Sequence, residues 1–233
     1  MRRPRTFPSL IALAAFTVAA TLGACAKTGT FDIAELPVDT ADARITALLD
    51  HVKVLSDRPQ VPGYERSCED GYGCVFGTAW KDVDRNGCDT RNDVLARQLT
   101  DVVFKPGTRQ CAVAAGDLRD PYTGKLIHFI RSDGGAVEID HVYPLAMAWD
   151  MGADTWVEDR RIDFANDQAN LLATGRAANR SKSDKGPAEW TDKVAPDRRC
   201  AYVKRFLEIA LGYDLPITQA DADSIRSTAS KCS

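Results

Sequence analysis

The sequence predicts an α+β fold that is stabilised by disulfide bonds. Stretches with apolar residues at helical spacing lie near both ends of the chain, and two strand-like runs flank the turn sequence "DGG" in its centre. Beyond the first 25 residues there are six cysteines, an even number that suits disulfides. With 233 residues, 44% of them hydrophobic and 27% charged, the chain can bury one sizeable core, so we expect one main domain.

The first 25 residues have the pattern of an export signal. Arg2, Arg3 and Arg5 precede the apolar run "LIALAAFTVAATLG", which is shorter than the about 20 residues that a transmembrane helix needs. The run ends in "TLGAC", which resembles the lipobox of bacterial lipoproteins, where the cysteine, here Cys25, receives lipid. The small residues around Cys25 also fit ordinary secretion, which would remove it. Both alternatives predict an exported protein, either a cell-membrane lipoprotein or a secreted one.

The remaining cysteines indicate three disulfides, because an exported chain meets oxidising conditions. Spacing alone leaves the connectivity open, and we expect sequence neighbours to pair. The expected pairs are Cys68 with Cys74, Cys88 with Cys111, and Cys200 with Cys232. A zinc site is disfavoured because the sequence contains no CxxC pair.

The elements before the centre of the chain follow from periodicity and turn residues. Residues 26–60 read as a tether and an amphipathic helix, with Ile45, Leu48, Leu49 and Val52 on one stripe. The main domain, residues 61–233, opens with a turn-rich loop, and the stretch "NDVLARQL" predicts a helix. Next, "KLIHFI" and "VEIDHV" predict two strands that pair as a hairpin across "DGG".

The second half of the domain is mostly helical. The segment 145–167 predicts a helical insertion, "NLLAT" a short strand, and the following basic stretch a helix. The segment "YVKRFLEIALGYDL" carries an apolar stripe and predicts a helix, and the last helix opens with Thr218 and Asp221 at capping-box spacing.

Charge is distributed unevenly along the chain. Without the leader, 27 Lys and Arg face 33 Asp and Glu, a net charge of −6, which is not typical of a nucleic-acid-binding protein. Residues 171–205 nevertheless carry nine basic and four acidic side chains, a local charge of +5. This segment suits phosphate groups, although a solvated helix face would explain it too.

The pair Asp140-His141 lies in the middle of a strand that is otherwise apolar. A carboxylate and an imidazole at such a place cost folding energy unless they have partners. Neighbouring strand residues face opposite ways, so both can reach one site only at a bend or a strand end, which Pro144 permits. The other histidines, His51 and His128, fit a helix surface and a strand, so His141 is the candidate for chemistry.

Two asparagines follow this pair, Asn170 at the start of a strand and Asn179 in "NRSKSDK". The order of a strand that carries Asp-His, a strand that carries Asn and a helix that carries Asn resembles the ββα-metal, or HNH, nuclease motif. The residues "IDHVYP…NLLA…ANRSKSDK" are similar to the HNH domain of RNA-guided CRISPR nucleases and to the HNH group that includes type IV restriction-like enzymes. With "GYERS", "FGTAWKDVDRNGCDTRNDVLARQL" and "GDLRDPYTG", the chain from about Gly63 onward resembles an exported bacterial HNH endonuclease family.

The resemblance implies a ββα-metal core with additional helices and gives each residue a role. His141 would be the general base, since an imidazole with a pKa near 6.5 can take a proton from water. Asp140 and Asn179 would supply oxygen ligands to one Mg²⁺, or to Mn²⁺. Asn170 would pin the loop and orient His141. The last motif position is Asn179 where the HNH name has histidine, which leaves the identity of the metal open.

Three basic side chains lie around the predicted metal helix. Arg180, Lys182 and Lys185 occupy positions where contacts to substrate phosphates are expected. For each of them, a solvated side chain is the alternative.

The segment "DVDRNGCDTRND" suggests a second cation site. Asp82, Asp84, Asn86, Gly87 and Asp93 stand at positions 1, 3, 5, 6 and 12 of an EF-hand-like calcium loop. Calcium is disfavoured because position 12 is Asp where a bidentate Glu belongs, and because no helix is evident upstream. The alternative is a loop of Asx turns that caps the helix after it.

These observations favour an exported, metal-dependent HNH endonuclease that hydrolyses DNA, with RNA left open as a substrate. Nothing resembles a base-reading module, so we expect low sequence specificity. We also expect a monomer that touches the membrane only through lipid on Cys25. The alternative is a non-catalytic, calcium-stabilised surface lipoprotein, in which the Asp-His-Asn set is a structural hydrogen-bond network.

Overall fold

The computed structural model describes residues 40–69 and 73–232. The predicted signal peptide, Cys25 and the tether before residue 40 lie outside the described residues. The described part contains both helices and strands, and three disulfides join Cys68 to Cys74, Cys88 to Cys111 and Cys200 to Cys232. The predicted α+β class and the predicted pairing are therefore confirmed.

The helices and strands have the following bounds. The α-helices are α1 (Ala41–His51), α2 (Thr90–Gln98), α3 (Leu145–Asp150), α4 (Glu158–Asn166), α5 (Arg176–Lys182), α6 (Pro187–Trp190), α7 (Arg199–Tyr213) and α8 (Gln219–Ala229). The strands are β1 (Val54–Leu55), β2 (Thr100–Phe104), β3 (Val113–Arg119), β4 (Leu126–Ile130), β5 (Val137–His141), β6 (Leu171–Gly175) and β7 (Ile217–Thr218).

The strands form three small sheets. Strands β2, β3 and β4 make an antiparallel sheet, β5 pairs with β6 antiparallel, and β1 pairs with β7 parallel. The predicted hairpin between β4 and β5 is wrong, because β4 pairs with β3 along five residues and β5 with β6 along another five. Gly134 and Gly135 have φ angles of 73° and 89° after a short 3-10 turn, so the chain turns away between β4 and β5.

The N-terminal helix belongs to the same core as the C-terminal helices. Ile45, Leu48 and Leu49 of α1 are buried in one apolar cluster with residues of α7 and α8, such as Phe206 and Ile225. Helix α8 begins with the predicted capping box of Thr218 and Asp221. The boundary expected at residue 60 therefore does not separate two packing units.

Strands β5 and β6 and helix α5 position the predicted site. His141 of β5 lies opposite Leu171 of β6, and Val137 lies opposite Gly175, after which α5 begins at once. Helices α3 and α4 fill the connection between the two strands. No helix in residues 40–69 or 73–232 is long and apolar enough to cross a membrane.

Candidate active site

An open cavity of about 760 Å³ lies at the end of β5. Its walls come from β5, the start of α3, helix α5 and a loop near residues 64–80. Of the predicted site residues, the cavity brings together Asp140, His141, Asn179 and Arg180. His141 is the last residue of β5, which is the strand end expected from the sequence at this pair. Asp140 and His141 can therefore both line one cavity.

The His141 ring is fixed by two neighbours. Its Nε2 lies 2.8 Å from the backbone oxygen of Ala165, which can only accept, so Nε2 carries the proton and Nδ1 has the lone pair. The Trp80 ring stacks on the imidazole, with centroids 6.3 Å apart and planes 12° apart. Burial lowers the pKa of His141 to about 3, and the nearby positive charge of Arg66 acts in the same direction. The imidazole is therefore neutral near pH 7.

The Asp140 carboxylate is 4% exposed and has two partners. Its Oδ1 accepts from Lys182 Nζ at 3.0 Å, and its Oδ2 accepts from the Tyr122 hydroxyl. Burial raises the pKa of the Asp140 carboxyl, whereas Lys182 and Tyr122 oppose that shift. The buried charge is thus paired within the protein.

Lys182 does not lie where the sequence suggested. Its side chain is 0% exposed. The ammonium group donates hydrogen bonds to Asp140 and, at 2.7 Å, to the backbone oxygen of His141. Burial lowers the pKa of its ammonium group, and Asp140 opposes that shift. The expected contact of Lys182 with phosphate is therefore wrong, because its side chain is enclosed by the protein and neutralised by Asp140. Lys185 lies outside the cavity lining and donates to the backbone oxygen of Ser181 at 2.8 Å.

Asn170 is buried and pins the chain just after β5. Its Oδ1 accepts from the backbone nitrogen of Tyr143 at 2.8 Å, and its Nδ2 donates to the oxygen of the same residue at 3.1 Å. The backbone oxygen of Asn170 also accepts from Val142 at 2.9 Å. These contacts hold the turn that follows His141, which corresponds to the loop-pinning role expected for Asn170. Asn170 does not itself line the cavity.

Asn179 and Arg180 meet at Glu138 of β5. Asn179 Nδ2 donates to Glu138 at 2.8 Å, and the Asn179 side-chain oxygen has no hydrogen-bond partner within the described part of the chain. Arg180 and Arg176 lie 3.3 and 3.4 Å from the same carboxylate. Glu138 therefore orients the amide and offsets part of the charge of α5.

The donor set suits a metal that keeps most of its water. A carboxylate and an amide oxygen lie on the wall of one cavity, and Mg²⁺ binds through one or two protein oxygens plus waters. Among residues 40–69 and 73–232, no group of three or more His, Cys, Asp or Glu side chains is arranged to hold a metal ion.

The loop that suggested calcium closes on itself by hydrogen bonds. Asp82 accepts from the backbone nitrogens of Asn86 and Gly87, at 3.1 and 2.9 Å, and the Asn86 amide donates to Asp84 and Asp93. The residues after this loop begin α2, which is capped by Asp89. The arrangement has the form expected for a loop of Asx turns, and calcium there stays an expectation from sequence.

Three cavity residues were missed by reasoning from the sequence. Tyr64, Arg66 and Trp80 line the cavity and come from the loop that precedes α2. They fall in "GYERS" and "FGTAW", which contributed to the resemblance but had received no role. Single aromatic or basic residues in a loop carry no spacing signal that would assign them to a site.

Comparison with known proteins found a matching family and a similar secreted protein. The family of GmrSD restriction endonucleases, C-terminal domain, matches residues 89–227, which include β5, β6 and α5. An uncharacterized secreted protein from the fungus Arthroderma benhamiae is 32% identical over 180 residues, which cover 76% of this chain and 81% of that protein. No solved structure matches the chain. The chain thus belongs to the family of the GmrSD restriction endonuclease C-terminal domain.

Proposed function

We propose that this protein is an exported nuclease of the ββα-metal type, which hydrolyses phosphodiester bonds in nucleic acid. The observation that carries the proposal is that Asp140, His141 and Asn179, from β5 and α5, line one cavity. The restriction endonuclease family that matches the chain supports a phosphodiester hydrolase. The order of the antiparallel pair β5–β6 and helix α5 supports the HNH type in particular.

In this proposal His141 removes a proton from the attacking water. The Ala165 carbonyl holds the proton on Nε2, so the acceptor is Nδ1, and the stacked Trp80 ring limits rotation of the imidazole. A pKa of about 3 describes the site without substrate, where Arg66 and burial disfavour the imidazolium. An anionic phosphate in the cavity would favour the imidazolium and raise the pKa toward the range that suits a general base.

Asp140 and Asn179 are the residues that would hold a divalent metal, Mg²⁺ or Mn²⁺, one per site. When bound, such an ion supplies Lewis-acid stabilisation of charge on the phosphate and leaving oxygens. Asn179 offers its side-chain oxygen, held in place through Glu138, while Asp140 is already bonded to Lys182 and Tyr122. Lys182 is therefore the cation that opposes the effect of burial on the Asp140 carboxyl. Arg180 lines the cavity and is suited to contact phosphate.

The proposal also covers where the protein acts and which nucleic acid it cleaves. Three disulfides and a relative described as secreted support an exported protein, and a lipid anchor on Cys25 would be its only attachment to a membrane. The bacterial origin implied by the sequence resemblance gains no support from the fungal relative. We propose DNA as the main substrate, low sequence specificity and a monomeric enzyme.

The test of this function is cleavage by the oxidised protein without its leader. Supercoiled plasmid, single-stranded DNA and RNA are each incubated with the protein in EDTA, Mg²⁺, Mn²⁺ or Ca²⁺. We expect plasmid nicking in Mg²⁺ or Mn²⁺ and none in EDTA. Folded protein that cleaves no substrate in any metal would refute the nuclease and favour a non-catalytic surface protein.

Replacing Asn179 by alanine tests the proposed metal ligand. Loss of one ligand or of its orienting partner typically weakens metal affinity about 10- to 100-fold. We therefore expect Asn179→Ala to raise the Mg²⁺ concentration for half-maximal cleavage by a factor in that range. Asn86→Ala, in the loop of Asx turns, is the control and should leave the metal dependence unchanged. An unchanged metal dependence in Asn179→Ala would remove this residue from the site.

A further inference from the structure

One wall of the cavity comes from a segment that lies outside the family match. The match begins at residue 89, whereas Tyr64, Arg66 and Trp80 precede it. Residues on both sides of Arg66 are tied to the returning chain, since Val75 donates to the backbone oxygen of Glu65 and Cys74 to that of Ser67, both at 3.0 Å. The backbone of Arg66 is therefore held in place by a hydrogen bond on each side.

The same segment is attached to the rest of the domain. The Cys68–Cys74 disulfide closes its loop, and the Tyr64 ring packs on Phe76 and Trp149 with centroids 6.3 and 6.4 Å apart. Arg161 of α4 donates to the backbone oxygen of Val75 at 2.5 Å. These contacts attach the segment whose Arg66 side chain lines the cavity.

Arg66 differs from the other cations around the cavity in having no partner among the described residues. Arg180 is paired with Glu138, and Lys182 with Asp140. Within residues 40–69 and 73–232, Arg66 forms no hydrogen bond or ion pair, although its side chain is half-buried. Burial lowers the pKa of its guanidinium group, so its charge is partly desolvated without compensation.

Two acidic side chains close to Arg66, those of Glu65 and Asp184, already have other partners. The Glu65 carboxylate accepts from the backbone nitrogen of Ser67 at 3.0 Å. Asp184, on the cavity wall, is paired with Arg58 at 3.2 Å. Arg66 and His141 both line this cavity, so the guanidinium and the imidazole lie on the same space. Within residues 40–69 and 73–232, the cavity thus presents a positive charge without an ion-pair partner beside the proposed general base.

An anion of phosphate geometry is the ligand that this arrangement fits. The guanidinium fork matches two phosphate oxygens, and a half-buried guanidinium keeps more of its electrostatic strength than an exposed one. Arg180 on helix α5 lines the same cavity, so cations of two segments can contact one phosphate. Such donors accelerate hydrolysis when they stabilise the extra charge of the transition state.

We propose that Arg66 binds the non-bridging oxygens of the scissile phosphate, so that the segment before the matched domain completes the active site. This inference rests on the proposed nuclease function and names a catalytic residue that lies outside the family match. It also gives the Cys68–Cys74 loop a role, which is to hold a phosphate-binding side chain next to His141.

The test compares Arg66→Ala, Arg66→Lys and Arg226→Ala with the wild type in plasmid nicking at saturating Mg²⁺. Removing one donor that stabilises the transition state typically lowers kcat about 10²- to 10³-fold, and we expect that loss for Arg66→Ala. Arg66→Lys keeps the charge but not the fork and should retain an intermediate rate. Arg226 is an exposed residue of α8, and Arg226→Ala should cleave like the wild type.

Two further readouts separate substrate binding from a structural role. Thermal unfolding of Arg66→Ala should be unchanged or shifted upward, since the variant loses a cation that has no partner in residues 40–69 or 73–232. Added guanidinium ion at millimolar concentration should restore part of the cleavage by Arg66→Ala and none by His141→Ala. Cleavage by Arg66→Ala within threefold of the wild type, or a loss that neither lysine nor guanidinium relieves, would overturn the inference. Absence of cleavage by the wild type would instead refute the proposed function.

Discussion

Replacement of Lys182 by methionine is expected to lower the free energy of unfolding by about 3–5 kcal/mol, the usual loss when one partner of a buried ion pair is removed. Lys182 is fully buried and its ammonium group lies 3.0 Å from Asp140 Oδ1. Methionine fills a similar volume, so the loss reports the charge left on Asp140 and the unbonded backbone oxygen of His141. Urea unfolding monitored by circular dichroism measures the effect.

Two comparisons show whether charge is the cause. Asp140→Asn combined with Lys182→Met removes both charges, so this double variant should be more stable than Lys182→Met alone. Lys193→Met, at an exposed position, should unfold like the wild type. A loss below about 1 kcal/mol in Lys182→Met, the range of exposed ion pairs, would contradict the buried pair.

The loss of stability in Lys182→Met should depend on pH, and the Asp140 carboxyl sets the direction of that dependence. Burial raises the pKa of Asp140, and without Lys182 the carboxyl loses the cation that opposes this shift. A group whose pKa is higher in the folded state contributes stability below its unfolded pKa and loses it as the pH rises through its folded value. The deficit of Lys182→Met relative to the wild type should therefore shrink as the pH falls toward the acidic range, because the native protein can then bury a neutral carboxyl.

Local patterns predicted a large part of the fold. The stripe of Ile45, Leu48 and Leu49 is buried in α1, and the capping box of Thr218 and Asp221 starts α8. These features depend on residues three or four apart, so a single sequence contains the information. The disulfide pairing was also predicted, since each of the six cysteines in the described residues joins its sequence neighbour.

Features that depend on distant partners could not be predicted. The choice of β3 and β6 as partners for β4 and β5 is made by packing across the fold, and the turn residues between β4 and β5 gave no sign of it. Within the candidate site, the motif identified Asp140, His141 and Asn179, which line the cavity. It did not show that Lys182 faces inward to Asp140, or that Arg66 comes to the cavity from more than 70 positions before His141.

Loss of cleavage in His141→Ala is the second large effect that we expect. A general base typically contributes about 10²- to 10⁴-fold to the rate, and alanine also removes the partner of the Trp80 ring and of the Ala165 carbonyl. His128→Ala is the matched control, because His128 is exposed on β4, where its ring contacts Asp117. Both variants should keep the far-ultraviolet circular dichroism of the wild type.

The central claim is that the cavity around His141 hydrolyses phosphodiester bonds. The most direct measurement is the initial rate of plasmid nicking in saturating Mg²⁺ by wild type, His141→Ala and His128→Ala, each oxidised and purified in the same way. We predict wild-type rates for His128→Ala and a rate at least about 10²-fold lower for His141→Ala. Equal rates for wild type and folded His141→Ala would contradict the claim and place the chemistry elsewhere.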